Sequence, residues 1–455
     1  MTAGWVREPA VAGLFYPSDA RQLRDAVTGH VEAAPVPDPP VDARALIAPH
    51  AGYRYSGATA GAAYRALAGR GSAVERVVLA GPAHRVAVGG VGIGVSTARA
   101  WRTPLGEVPV DVDACRELVD AGVAVEADDA HAPEHSLEVH LPFLLEVLGP
   151  VAFVPVVVGR CAPRAVADAL DRVWDGEGTL VVVSSDLSHY LDDAAARRRD
   201  ARTRLAIIEG RAADIGPHDA CGCVAIAGLL LAARPREFAP RTLALATSAD
   251  ASGDPSRVVG YGAFGFGASP PLTENERTWL VGRARAAIGH ELATGEVDPL
   301  GDGEVPERLR LPGASFVTLE HAGDLAGCIG SLEPVRPLWA DVARNSRGAA
   351  FADPRFPPLA ASALDVVVVK VSVLSTLVPL PAPGGDELAA ALRPRVDGLV
   401  VEADGKRATF LPAVWDKLPA PDRFVAALLA KAELEPDPWP EGLRAWRYAT
   451  DEFWG

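Results

Sequence analysis

Short apolar runs alternate with stretches of helical periodicity through the first 267 residues. The apolar runs are four to nine residues long and lie at 45–48, 77–80, 151–158, 180–184, 242–247 and 258–266. The stretches between them that favour helices lie at 58–69, 112–120, 134–148, 163–174, 193–209 and 219–233. Continuous Val- and Leu-rich strands that alternate with helices are typical of buried parallel sheets. The pattern therefore predicts an α/β domain with a mixed, largely parallel sheet flanked by helices.

Two segments depart from this alternation. Residues 88–97 are Gly-rich and apolar with no helical stretch after them, which favours a strand with antiparallel pairing. Residues 33–41 contain several prolines and predict a surface loop within the first domain.

The pattern changes beyond a short Pro-rich break at 268–273. A helix is predicted to follow it, with Thr273 as N-cap and Glu276 at the third helical position. Farther along, short predicted strands lie among turns at 314–319, 365–374 and 396–402. We therefore expect two domains, an α/β domain over 1–268 and a smaller α+β domain over 274–455.

Composition excludes several classes of function. Lysine and arginine number 44 against 59 aspartate and glutamate, a net charge of −15, which does not favour binding to nucleic acid or to an anionic membrane. No apolar run approaches the roughly 20 residues of a membrane-spanning helix, and the N-terminus lacks a signal-peptide core. Five cysteines do not form a disulfide framework, so we expect a cytoplasmic protein with reduced thiols.

Side chains able to bind a metal follow three of the predicted strands. His50 follows the first run, His84 follows the second, and Asp186 and His189 follow the run at 180–184. Ligands of open α/β sheets bind at the carboxyl ends of strands, so these four residues are predicted to share one site. The alternative for each residue alone is an ordinary surface or core position.

The segment HAPEHSLEVHLPFLLEVL adds further candidates. It contains His131, His135, Glu138 and His140, and Pro133 is typical of the first position of a helix. We expect a helix from Pro133 onward. Its polar residues either form a cap on an amphipathic helix or contribute to the site. His140 lies among apolar neighbours, where an imidazole needs a hydrogen-bond partner.

Two cysteines begin the apolar stretch at 219–233. Cys221 and Cys223 are predicted to lie at a helix N-terminus, where the helix dipole lowers the pKa of a thiol and favours the metal-binding thiolate. The C-x-C spacing is not that of a zinc knuckle. Both residues could equally be small buried hydrophobic groups.

Residues 1–267 resemble the Memo (mediator of cell motility) family. The segments that carry the resemblance run through the domain in order: REPAVAGLFYPSD at 7–19, ALIAPHAGYRYSG at 45–57, VVLAGPAH at 77–84, W-x-TPLGEVPVD at 101–111, EHSLEVHLPFL at 134–144, SSDLSHY at 184–190, CGCVAI at 221–226 and VVGYGAFGF at 258–266. The resemblance implies a fold similar to class III extradiol dioxygenases, which are non-haem iron enzymes.

The resemblance also implies roles for particular residues. It places His50, His84 and Cys221 on a metal, with Asp186, His189 and His140 in the same pocket as catalytic groups. Fe(II) is the first metal it implies. A thiolate in place of the carboxylate of an extradiol site is a softer ligand, which makes copper and zinc the alternatives. The register leaves Cys223 as an alternative to Cys221.

The second half resembles the AMMECR-type domain over about 274–453. The segments that carry this resemblance are GDLAGCIGSLE at 323–333, NSRGAAFADPRFPPL at 345–359, VSVLS at 371–375, VDGLVVEADGKRATFLPAVW at 396–415 and DRFVAALLAKAEL at 422–434. Ala326 stands where the family usually has arginine. Cys328 is expected to be a packed small residue rather than a nucleophile, and Asp353 and Arg355 are expected to hold a loop.

The two families are components B and A of the AmmeMemoRadiSam system, whose third component is a radical SAM protein. This chain has no Cys-x-x-x-Cys-x-x-Cys motif, so the radical SAM component is not part of it. The resemblance thus implies a separate radical SAM protein as partner. Two functions remain open from the sequence. One is a metal-dependent oxidoreductase acting on a small or aromatic substrate that the sequence does not name; the other is a non-catalytic metal- or peptide-binding module.

Overall fold

The chain forms two compact units, Met1–Pro270 and Pro271–Gly455, in a computed structural model. The structure describes residues 4–36, 42–70, 73–236, 238–268, 271–297, 305–382, 384–435 and 438–455. Most of the loop predicted at 33–41 lies outside these residues. In the described ranges, no helix is both long and apolar enough to cross a membrane.

The first unit alternates strands and helices for most of its length. Its elements are β1 (Val6–Arg7), α1 (Ala20–Ala33), β2 (Ala45–Ala48), α2 (Tyr53–Arg65), β3 (Arg76–Pro82), β4 (Ile93–Val95), β5 (Ala100–Thr103), β6 (Gly106–Pro109), α3 (Val112–Asp120), β7 (Val125–Glu126), α4 (Asp128–His131), α5 (Leu141–Leu148), β8 (Ala152–Val158), α6 (Pro163–Val173), β9 (Thr179–Ser184), β10 (His189–Leu191), α7 (Asp193–Ile208), α8 (Cys223–Ala233), β11 (Phe238–Thr247), α9 (Ala249–Ser252) and β12 (Val258–Ala268).

Nine of these strands form one sheet in the described part of the unit. Its order is β10-β12-β2-β9-β3-β8-β4-β7, with β11 paired to β12, while β1, β5 and β6 form a small separate sheet. The four central strands β2, β9, β3 and β8 are parallel neighbours. Every residue of β2 and β9 is buried, as expected for continuous apolar strands covered on both faces. The carboxyl ends of β2, β9 and β3 therefore lie side by side.

Antiparallel pairs flank this parallel centre, so the sheet is mixed as predicted but less parallel than the alternating pattern suggested. β12 runs antiparallel to both β2 and β11. The connection between β11 and β12 spans only residues 248–257, which is shorter than the dozen residues that a parallel crossover needs. On the other side, β4 pairs antiparallel with β8, which confirms the prediction for 88–97.

A buried ion pair explains why the helix predicted from Pro133 begins later. Residues Glu138–His140 form a short 3₁₀ turn, and α5 starts only at Leu141. The Arg7 guanidinium donates to the backbone carbonyls of His131 and Glu134 at 2.9 and 2.7 Å and to the Glu138 carboxylate at 2.7 Å. These bonds hold the backbone in an irregular conformation, because its carbonyls bind a side chain instead of the next helical turn.

Replacing Glu138 with alanine is expected to destabilise the first unit by about 3–5 kcal/mol, because Arg7 would be left as a buried, unpaired cation. The lost carboxylate also accepts bonds from the Tyr16 hydroxyl and two backbone amides. Chemical denaturation measures the change. Arg21→Ala, which removes a largely exposed pair with Asp25, is the control and should leave the unfolding midpoint unchanged. A midpoint for Glu138→Ala equal to that of the wild type would contradict the prediction.

The second unit contains two four-stranded antiparallel sheets with helices. Their orders are β14-β13-β15-β20 and β16-β19-β17-β18. The elements are α10 (Glu274–Thr294), β13 (Ser315–His321), β14 (Asp324–Gly330), α11 (Leu338–Phe351), β15 (Val368–Leu374), β16 (Val378–Leu380), α12 (Gly385–Ala390), β17 (Gly398–Ala403), β18 (Lys406–Phe410), α13 (Pro421–Lys431), β19 (Arg444–Tyr448) and β20 (Thr450–Trp454). Thr273 and Glu276 form the predicted capping box of α10.

The loop after α11 is held by the residues that the sequence suggested for that purpose. The buried Asp353 carboxylate accepts the backbone N–H of Cys328 at 2.8 Å and binds the Arg355 guanidinium at 2.7 Å. Arg355 also donates to the Cys328 carbonyl. Hydrogen bonds from Arg355, outweighing burial, hold the pKa of Asp353 far below its usual range. These contacts tie β14 to the loop.

Candidate metal centre

The sheet brings together the strand ends that the sequence singled out. His50 follows β2, His84 follows β3 and Asp186 follows β9, which lies between those two strands. Cys221 approaches from the other direction, two residues before α8, where its backbone N–H donates to the Asp186 carbonyl at 3.3 Å.

Three side chains at this edge have the spacing of metal ligands. The ligand atoms of His50, His84 and Cys221 all lie within 4.8 Å of one another, and His50 Nε2 lies 3.2 Å from Cys221 Sγ. Nitrogen at about 2.0 Å and sulfur at about 2.3 Å from a tetrahedral metal would be roughly 3.5 Å apart. The donor set therefore fits a metal ion without rearrangement of the backbone.

Ser184, the last residue of β9, fixes the tautomer of His50. A backbone carbonyl can only accept a hydrogen bond, so the Ser184 hydroxyl donates its proton to the Ser136 carbonyl, 2.6 Å away. The same oxygen lies 2.6 Å from His50 Nδ1, so this nitrogen must carry the proton. The Nε2 lone pair of His50 is thereby left facing Cys221. Burial, together with the neighbouring imidazoles, holds the pKa of His50 well below its usual value, which favours the neutral form that binds metals.

His140 supports this arrangement from behind. Its Nε2 lies 3.0 Å from the Ser184 hydroxyl, and its Nδ1 lies 3.0 Å from the Tyr64 hydroxyl. The ring is fully buried, and burial lowers its pKa to about 3. Because both nitrogens are hydrogen-bonded within the protein, we assign His140 a positioning role, and the catalytic role that the resemblance implied stays a prediction.

Glu134 orients His84 in a corresponding way, and the sequence did not single it out. Its carboxylate lies 3.0 Å from His84 Nδ1 and accepts the backbone N–H groups of His84, His135 and Ser136. Burial would raise the pKa of Glu134, but its contacts with His135, His84 and Ser136 hold it far below its usual range. An ionised carboxylate can only accept a hydrogen bond, so His84 Nδ1 carries the proton and Nε2 of His84 is free for a metal.

His84, Glu134 and His135 also lie close enough to suggest a second metal site. Glu134 already accepts four hydrogen bonds, three of them at Oε1, so we assign this carboxylate to support His84. His135 stacks on His84 with ring centroids 4.9 Å apart and lines the cavity. His131 is instead buried against Trp101. In the sequence, only the adjacency of Glu134 to His135 could have indicated that Glu134 belongs to the site.

The structure distinguishes the two cysteines. Cys221 belongs to the cluster, whereas Cys223 is the first residue of α8 and is buried outside it. The expected lowering of the thiol pKa is wrong for the metal-free protein. Burial, with the Asp186 charge adding to it, raises the pKa of Cys221 to about 12. Because Cys221 precedes α8 instead of capping it, a metal ion is needed to favour its thiolate.

Asp186 and His189 both line the cavity beside the cluster. The Asp186 carboxylate accepts the backbone N–H of His50 at 2.8 Å, and burial raises its pKa despite that bond. His189 Nδ1 lies 2.9 Å from the Leu187 carbonyl, so Nδ1 carries a proton and Nε2 is the basic nitrogen.

Comparison with known proteins establishes the family of this chain. A family model described as Memo-like protein matches residues 7–264, and one described as AMMECR1 matches residues 281–453.

The chain belongs to the Memo family.

Its Memo domain, here the first unit, has archaeal relatives of nearly equal length to the matched region. A MEMO1 family protein of Methanopyrus kandleri is 35% identical over 285 residues, covering 57% of this chain and 98% of the relative. One of Ignicoccus hospitalis is 37% identical over 285 residues, with the same coverage of 57% and 98%. A solved structure, an uncharacterized protein from Pyrococcus horikoshii, matches with 31% identity and a TM-score of 0.38, covering 40% of this chain and 93% of that one.

An open cavity of about 630 Å³ leads to the cluster in the Memo domain. Its inner wall includes His50, His84, His135 and Asp186, while Tyr55, Tyr190 and Tyr261 add aromatic surface. A volume of this size accommodates a small molecule. Two of the three cluster residues, His50 and His84, are therefore accessible to a ligand, unlike the residues of a closed structural metal site, in which protein side chains fill every position.

Removing the Ser184 hydroxyl is expected to weaken metal binding by about 10–100-fold, because Ser184→Ala frees the His50 ring to rotate and to change tautomer. Titration of the metal-free protein with zinc, in competition with a chelator, measures the affinity. Ser136→Ala is the matched control, since it removes a buried hydroxyl that donates to the Pro82 carbonyl without contacting His50. Equal zinc affinities for the two variants would show that Ser184 does not orient the ligand.

Proposed function

We propose that the Memo domain binds one divalent metal ion through His50 Nε2, His84 Nε2 and Cys221 Sγ. The observation that carries this proposal is the convergence of the three ligand atoms within 4.8 Å. It is supported by the hydrogen bonds that direct both Nε2 atoms away from Ser184 and Glu134. Such outer contacts are the usual means by which proteins fix the tautomer of a ligating histidine.

We further propose that the site is catalytic, as a metal-dependent oxidoreductase that acts on a small or aromatic substrate and resembles the extradiol dioxygenases. A metal held by three protein ligands keeps open positions, where it supplies Lewis-acid or oxygen-activating chemistry. Fe(II) is the metal proposed first, and copper or zinc would be favoured by the thiolate. The open cavity supports this proposal over the alternative of a non-catalytic metal- or peptide-binding module. We also propose a radical SAM protein as the partner of this chain, as the resemblance implies.

The residues beside the cluster have complementary chemistry in this proposal. His189 accepts a proton from the substrate at Nε2, since its Nδ1–H is held by the Leu187 carbonyl. Asp186 binds the His50 backbone and presents its carboxylate to the cavity, where it would orient a substrate hydroxyl. His135, Tyr55 and Tyr261 restrict water around the substrate by lining the wall.

Anaerobic purification followed by elemental analysis tests the metal proposal, and oxygen consumption with a panel of catechols and small aromatic compounds tests the catalytic one. We expect close to one metal ion per chain and turnover of at least one compound. Loaded protein with no oxygen consumption would favour the non-catalytic module. Protein that retains no metal after incubation with Fe(II), copper or zinc would contradict both the metal site and the metal-dependent catalysis.

A further inference from the structure

Two arginines line the cavity without a carboxylate partner in the described part of the chain. Arg85 follows the ligand His84, and Arg257 precedes β12; both are exposed. The two acidic residues of the cavity wall, by contrast, have backbone partners. Asp186 accepts the His50 amide at 2.8 Å, and Asp254 accepts the Ser256 amide at 2.9 Å. Other exposed arginines of the Memo domain do form ion pairs, for example Arg102 with Glu107.

The side chain of Arg257 has a defined neighbour at the cavity wall. Its guanidinium carbon lies 4.4 Å from the centre of the Tyr190 ring, a cation–π contact. The β10–β12 ladder creates this neighbourhood, because Leu191 pairs with Val258 and the register shifts at Tyr190. Tyr190 has a φ of 62°, a left-handed conformation that is uncommon and unfavourable for an aromatic residue. Backbone strain of this kind is concentrated at ligand-binding sites.

We propose that the cavity recognises small molecules that carry a carboxylate, which Arg257 and Arg85 bind, while the reacting end of the molecule faces His50, His84 and Cys221. A guanidinium stacked on an aromatic ring keeps its N–H edge free, and that planar edge matches a carboxylate with two parallel hydrogen bonds. The volume of about 630 Å³ accommodates a molecule that reaches from the arginines to the cluster. The part concerning the reacting end rests on the proposed function; the carboxylate site itself does not need the metal.

A pair of ligands of the same shape and different charge tests the proposal. The probes are 3,4-dihydroxybenzoate and its neutral amide, 3,4-dihydroxybenzamide, titrated calorimetrically into the full-length protein with and without metal. We expect the acid to bind at least about tenfold more tightly than the amide, the effect of charge-assisted hydrogen bonds. The preference should persist in metal-free protein, because the guanidinium groups keep their charge.

Arginine-to-methionine variants connect the preference to these residues. The double variant Arg85→Met, Arg257→Met should bind the acid and the amide with equal affinity and should keep its metal. Arg54→Met is the matched control, because Arg54 also stacks on a tyrosine, Tyr55, but does not line the cavity. It should keep the wild-type preference.

Three results would overturn the proposal: equal binding of the two probes by wild-type protein, no binding of the acid, or a preference that survives in the double variant. Metal analysis of each sample distinguishes failure of the carboxylate site from failure of the metal site. A protein that takes up no metal when metal is offered, yet prefers the acid, would contradict the proposed function and support the carboxylate site.

Discussion

Replacing His50 with alanine is expected to reduce the metal content of the Memo domain from about one ion per chain to nearly none. His50 is buried, and its Nε2 lies 3.2 Å from the Cys221 thiol, so its replacement removes one of the three proposed ligands. Elemental analysis after desalting measures the loss. A two-ligand remainder binds divalent ions weakly, since structural and catalytic sites normally have three or four protein ligands.

His218→Ala is the control for this variant. His218 is exposed in the same domain, is not part of the ligand cluster, and should keep the full metal content when replaced. Metal retention by His50→Ala equal to that of His218→Ala would show that the ion binds elsewhere.

Replacing His189 with alanine is expected to leave metal content nearly intact and to lower turnover by about 10²–10⁴-fold, the usual contribution of a general acid or base. The ring lines the cavity beside the cluster, and its Nδ1–H is held by the Leu187 carbonyl, which leaves Nε2 for the proton. The assay is turnover of a substrate found in the oxygen-consumption panel, with metal analysis of the same sample.

Two outcomes would contradict this role for His189. Loss of metal as complete as in His50→Ala would make His189 a ligand. Unchanged turnover with full metal content would make it an ordinary residue of the cavity wall. His189→Asn is a second variant, because its amide N–H takes the position of Nδ1–H and can still donate to Leu187 without a basic nitrogen.

The positions of His50, His84 and Asp186 could be predicted because each follows a continuous apolar strand. Strands such as 45–48 and 77–80 are local features of the sequence, and parallel neighbours present their carboxyl ends at one edge. The choice between Cys221 and Cys223 could not be made in this way. It depends on where the chain enters α8, and that is set by the contact of Cys221 with the Asp186 carbonyl, 35 residues away in sequence.

The segment around Glu134 was mispredicted for a related reason. Its local sequence favours a helix from Pro133, but Arg7, more than 120 residues away in the chain, binds the carbonyls that the helix would use. The same long-range packing directs the Glu134 carboxylate onto His84 and buries His140 behind Ser184. Hydrogen bonds between distant segments therefore decided which polar residues line the cavity and which support it.

X-ray absorption of the zinc-loaded protein tests the central claim most directly, because it counts the atoms bound to the metal. The account predicts one sulfur at about 2.3 Å and imidazole nitrogens at about 2.0–2.1 Å. The sulfur signal should disappear in Cys221→Ser and persist in Cys223→Ser. A zinc ion with no sulfur neighbour, or a sulfur signal that survives in Cys221→Ser, would contradict the assignment of His50, His84 and Cys221 as the metal ligands.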